Sequence, residues 1–150
     1  METMFGFGRL VLLVEPLYFV DPQPAPGQEG HERGVRVEVR VREPQPQRGS
    51  VYASQRIVVD RAVWRCDLLE SVEGGPGSCD RMHHHPEMHD NEPGERVFDA
   101  GLSSDPVGWL GMQLAVPRRL LERSDVTADE GFDDDAAELL ASLPAILEVV

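Results

Sequence analysis

Val35, Val37, Val39 and Val41 alternate with Arg36, Glu38, Arg40 and Arg42 without interruption. A repeat of two puts the four valines on one face of a β-strand and the charges on the other, a separation that a helix of period 3.6 does not give. The run therefore calls for a sheet with one apolar face packed on a core. Its charged face is expected to be solvated, as the outer face of an antiparallel sheet commonly is.

Further strands are expected on both sides of this one. Leu10–Val20 is β-rich and mostly apolar, with Pro16 marking a bend or an edge position. Residues 1–9 before it are expected to be loosely ordered. Asp21–Gly34 is a loop by its prolines and glycines, and Glu43–Gly49 is a second turn. Ser50–Asp60 carries the β-prone Ile57-Val58-Val59. In Val63–Glu70, Trp64, Cys66 and Leu68 share one face, and Arg65 and Asp67 share the other. Asp60-Arg61 is expected to turn a hairpin between these two strands. A helix capped by Asp60, with Trp64, Leu68 and Val72 on one side, is the alternative. Arg96–Asp99 is expected as a short strand.

Beyond residue 100 the pattern changes to helix. Asp105-Pro106 is a cap followed by proline at the first helical position, and that helix should stop or kink before Pro117. Arg118–Arg123 forms another turn or two, and Ser124–Asp135 reads as an acidic loop. Asp133, Asp134 and Asp135 suit the positive end of a final helix, which Pro144 is expected to break or kink. Strands followed by helices indicate a single α+β domain over residues 1–150. Its antiparallel sheet or small open barrel spans residues 10–100, followed by C-terminal helices.

Composition excludes several functions. The chain has 14 Arg and no Lys, which rules out a Schiff base, a pyridoxal-phosphate anchor and a phosphate-loop lysine. Its net charge is −13, concentrated in residues 66–150, where five Arg face 19 acids. Such a surface repels phosphate backbones, so nucleic acid is not an expected partner. No run approaches the roughly 20 apolar residues of a membrane span, and Glu2 and Glu15-Pro16 interrupt any export signal. The expected location is therefore cytoplasmic, with Cys66 and Cys79 as free thiols. Strand alternation puts Cys66 in the core and leaves Cys79 more accessible. Gly6-Phe7-Gly8 lacks the third glycine of a dinucleotide loop, and no Gly-x-Ser-x-Gly is present. Asp125, Asp129, Glu130 and Asp133–Asp135 lack the spacing of a helix-loop-helix calcium site.

Chemistry concentrates in one segment. His83, His84, His85 and His89 are four of the five histidines, and Cys79, Asp80 and Glu87 lie beside them. Imidazoles with carboxylates are the commonest ligands of transition metals. If residues 82–86 are extended, His83 and His85 point to one side, ~7 Å apart by Cα, and His84 points away. His89 can join them if the chain turns after Pro86.

Gly77, five residues, His83, one residue and His85 resembles the opening of the first metal motif of cupins, β-barrel proteins that hold an ion with two histidines and a glutamate of that motif. The match is short. Glu87 comes earlier and Glu92 later than the motif's glutamate, and no histidine follows His89 for the second cupin motif. A longer pattern runs through Trp64–Leu69, His83–Pro86, Arg96–Asp99, Asp105-Pro106 and Trp109-Leu110. It is similar to small bacterial proteins of unassigned function, a resemblance that implies a recurring fold and transfers no activity.

No complete catalytic set can be assembled from these residues. The expected function is a non-catalytic binding or interaction module, with a protein or a small molecule as partner. The alternative is a cupin-like metal-dependent enzyme, with His83, His85, Glu87 and His89 holding zinc, manganese or iron.

Overall fold

A computed structural model describes residues 1–128 and 131–150. Asp129 and Glu130 of the expected acidic loop lie outside the described residues. The alternating valine run forms the middle of an antiparallel sheet that does not close into a barrel. Its strands are β1 (Thr3–Phe7), β2 (Leu10–Val20), β3 (His31–Glu43), β4 (Val58–Ser71) and β5 (His83–His85), side by side in chain order. A small hairpin of β6 (Met88–His89) and β7 (Glu92–Pro93) follows. Four helices follow among the described residues: α1 (Ala100–Ser104), α2 (Pro106–Leu114), α3 (Pro117–Leu121) and α4 (Phe132–Val149). The fold is thus α+β, strands first and helices last. Among the described residues no helix is long and apolar enough to cross a membrane.

The helices bury the valine face. Leu102, Trp109, Leu110, Leu114, Leu139 and Ile146 join Leu12, Val14, Val37, Val39, Trp64 and Cys66 in one hydrophobic cluster. Each fully buried Leu or Ile there contributes about 1.5–3 kcal/mol. Asp105 caps α2 as its sequence indicates, accepting a hydrogen bond from the Gly108 N–H with Pro106 in the first turn. Asp99 does the same for α1, accepting from Gly101 and Leu102.

Several sequence expectations need correction. Residues 1–9 are not loose: Thr3–Phe7 pairs along β2, and the N–H of Arg9 donates to buried Asp135 of α4. Asp60-Arg61 makes no hairpin turn and starts no helix, because Val58–Ser71 is one strand paired with β3 along most of its length. Its register with β3 slips twice: the slip between Val39 and Arg40 passes over Val63, and the one between Arg40 and Arg42 takes up Asp60 and Arg61. Arg96–Asp99 contributes one bridge, Val97 to His84, in place of a strand. The break at Pro144 does not occur, since α4 runs on to Val149. Pro144 removes only its own N–H from the ladder, and buried Ile146 anchors the last turns.

The charged face of β3 is only partly solvated: Arg36, Arg40 and Arg42 are half-buried, and that face continues onto β4 through Arg65 and Asp67. Glu32, Glu38, Arg65 and Asp67 are all buried. Paired guanidinium and carboxylate groups make this possible: Glu38 meets Arg40 and Arg65 and Asp67 meets Arg36 within the sheet, while Glu32 meets Arg81 and Arg96 of the segments beside it. Gly34 permits the close approach of β4: its φ is +151°, and a Cβ there would stand 2.0 Å from the Leu68 carbonyl oxygen.

Candidate metal centre

Sheet register assembles the site. Asp67 on β4 lies opposite Arg36 on β3 and opposite His83 on β5, while Arg65 lies opposite Glu38 and His85. Glu15 of β2 extends the first row, so Glu15, Arg36, Asp67 and His83 run across four strands. The period of two that puts Trp64, Cys66 and Leu68 into the core sends Arg65 and Asp67 to the same side as His83 and His85. His84 faces the other way, its ring 4.9 Å from that of Trp109 and 6.5 Å from that of Trp64.

Backbone carbonyls fix both site imidazoles. His83 Nδ1 lies 2.7 Å from the Arg81 carbonyl oxygen, and His85 Nδ1 lies 2.9 Å from that of Gly94. A carbonyl can only accept, so each Nδ1 carries the proton and each Nε2 of the neutral ring presents a lone pair. Both lone pairs are aimed at one carboxylate. His83 Nε2 stands 3.4 Å and His85 Nε2 3.6 Å from Asp67 Oδ2. His83 Nε2 is buried and has no hydrogen-bond partner among the described residues.

Asp67 is held as an anion. Burial alone would push its carboxyl up, but His83, His85 and Arg36 outweigh burial and hold it well below the usual carboxylate range. Arg36 does so directly, with Nε 2.8 Å from Oδ1 and Nη2 3.3 Å from Oδ2. The imidazoles contribute only when a proton or another cation lies on their Nε2 side. With both rings neutral, the two Nε2 atoms and the Asp67 carboxylate are three acceptors converging on one point.

The spacing suits an ion. Asp67, His83 and His85 offer ligand atoms that all lie within 4.8 Å of one another. Ligands about 2.1 Å from a shared metal stand roughly 3–3.5 Å apart, close to the two distances from Asp67. Imidazoles that donate their second N–H to backbone carbonyls have the support typical of metal ligands. The site opens on a cleft of about 230 Å³ lined by Phe19, Arg65, Leu69, Pro93 and Arg96, among others.

Of the four expected ligands, the fold brings together His83 and His85. Glu87 and His89 stay outside, with the exposed His89 ring 3.9 Å from the half-exposed Glu87 carboxylate. His89 lines a separate hollow of about 440 Å³ with Arg61, Asp90 and Arg123. The chain does turn after Pro86, but into a tight hairpin with positive φ at Asp90 (48°) and Asn91 (71°), the conformation of a two-residue type I′ turn. Asn91 Oδ1 accepts from the Ala62 N–H on β4 at 2.9 Å. The hairpin therefore serves the site through the Gly94 carbonyl. Asp80, another possible donor, is engaged in closing the loop after β4, where it accepts hydrogen bonds from Ser71 and Ser78.

Asp67 is the member of this cluster that the histidine segment by itself does not reveal. Its signal is the alternation that puts it on the Arg65 face. No family model, curated protein or solved structure matches the chain.

Proposed function

We propose that this protein binds one divalent transition metal through Asp67, His83 and His85 and uses it as a reaction centre. The observation carrying this reading is the convergence of two lone pairs and a carboxylate, one of the nitrogens buried without a partner. Two imidazoles and one carboxylate suit iron(II), zinc and manganese. Structural zinc sites are closed by four protein ligands, whereas three ligands beside a cleft leave room for water or substrate. Such an ion acts as a Lewis acid. The chain's own part is to fix the ligand atoms: Arg36 holds Asp67, and the Arg81 and Gly94 carbonyls hold the rings.

Protein purified without a histidine tag should contain close to one equivalent of metal. His83→Ala, His85→Ala and Asp67→Asn should abolish binding, while His84→Ala, Glu87→Gln and His89→Ala should leave it within about threefold. A metal that binds only the folded state at 100 times its dissociation constant stabilises by about 2.7 kcal/mol. Binding should weaken on acidification, because the ligands must be free of protons. Absence of metal from the purified protein, with no melting shift on adding zinc, manganese or iron(II), would sink the reading.

A second reading is a non-catalytic binding module. It is favoured by the two Arg36 hydrogen bonds to Asp67, which complete a buried ion pair without any metal. On that reading the His83 and His85 substitutions change stability alone.

A further inference from the structure

Paired charges surround the cleft beside the centre. Arg36 is paired with Asp67 and Glu15, Arg65 and Arg40 with Glu38, and Arg96 and Arg81 with Glu32. Asp21 also lines the cleft. Five guanidiniums thus face five carboxylates, a local balance within a chain of net charge −13. A divalent ion on neutral imidazoles adds two positive charges that no side chain of this set offsets. An anion in the cleft would offset them.

Donors for such an anion are present. Arg65 uses Nε and Nη2 on Glu38 Oε1, at 2.7 and 2.6 Å, and its Nη1 has no partner among the described residues. Arg96 likewise commits Nη1 and Nη2 to Glu32 and Gln28, leaving Nε without one. Both residues line the cleft, and Arg65 sits directly across from His85 in the sheet register. The remaining wall includes the half-buried Phe19 and the exposed Pro93, which give a short carbon chain an apolar surface. Those walls argue against a bare inorganic anion and for an organic one.

We infer that the substrate class of this centre is a short-chain carboxylate, its carboxyl oxygens facing the metal and the free Nη1 of Arg65. This inference rests on the metal reading of Asp67, His83 and His85. Glu38 stays paired if Arg65 is replaced, because Arg40 contacts its Oε2 through both Nε and Nη2 at 2.7 Å. Arg65 can therefore be tested without orphaning a buried carboxylate.

The test uses full-length protein loaded with cobalt(II), whose visible absorption reports both loading and any change in its ligands. Glycolate is titrated in, with glycolamide as its neutral isostere. Glycolate should shift the spectrum and bind at least tenfold tighter than glycolamide. Arg65→Met should weaken glycolate at least tenfold while leaving cobalt affinity within threefold. If cobalt does not load, the metal reading and this inference fall together. If cobalt loads but glycolate leaves the spectrum unchanged, or binds no better than glycolamide, this inference alone is overturned. Equal glycolate affinity in Arg65→Met also overturns it. Should that variant fail to fold, the wild-type comparison of glycolate with glycolamide decides.

Discussion

Arg36 grips Asp67 across β3 and β4 with two nitrogens, and the carboxylate's other neighbours are the two Nε2 atoms of His83 and His85. Arg36 therefore determines how Asp67 is presented to them. Arg36→Met should destabilise the metal-free protein by about 3 kcal/mol, because it leaves a buried carboxylate without its guanidinium. Metal should recover part of that loss by supplying the missing positive charge. Denaturant unfolding with and without zinc measures both effects. A loss unaffected by zinc would separate Arg36 from the site.

His84 should control acid sensitivity on the opposite face of the sheet. Burial against the helices pushes its imidazole below its ordinary value, opposed only in part by the charge of Asp99. The unfolded chain then takes up a proton near pH 6.5 that the folded chain refuses, so stability is lost as pH falls from there. His84→Gln should show a flatter stability profile between pH 7 and 5 than the wild type. Parallel profiles would contradict this.

The thiols should differ in reactivity. Cys66 is fully buried between Trp64 and Leu68 in the core, and burial pushes its thiol up, while Cys79 is partly exposed. Titration of the folded protein should label Cys79 quickly and Cys66 only on unfolding. Equal rates would mean that the core around β4 opens readily.

Asp80 closes the glycine-rich loop between β4 and β5. Burial opposes its charge, but hydrogen bonds from Ser71 and Ser78 together outweigh it and lower its carboxyl to about 2. Its contribution is present above the unfolded value near 3.9 and disappears as pH falls toward 2. Asp80→Ala should cost about 1–2 kcal/mol at neutral pH. The gap from the wild type should narrow across that acid window in melting curves, and a constant gap would refute the assignment.

Local pattern and long-range register account for what the sequence disclosed. The valine alternation located β3 and its buried face, and Asp105-Pro106 located the start of α2, because both are written within a few neighbouring residues. The pairing of His83 with His85 follows from the same period of two. Their partnership with Asp67 does not, because it depends on how β5 docks on β4 after the loop. Burial of the charged face was hidden for the same reason: Arg36 looks solvated until Asp67 and Glu15 are set beside it. Asp60-Arg61 resembles a turn in isolation, and only pairing to the long β3 shows a strand with bulges. Glu87 and His89 were drawn to the site by proximity along the chain, whereas Asp90-Asn91 marked the tight turn that carries them away.

The shortness of β5 has an optical consequence. Three consecutive histidines make up the whole strand, the outer two aimed at Asp67 and the middle one lying against two stacked indoles, Trp109 and Trp64. Hydrogen bonding to β4 on one side and to Val97 on the other ties the three together. An ion held by His83 and His85 adds positive charge on both sides of His84, whose ring lies 4.9 Å from that of Trp109. Arrival of metal should therefore change the intrinsic tryptophan emission with no dye attached, and His84→Ala should silence that signal while binding persists.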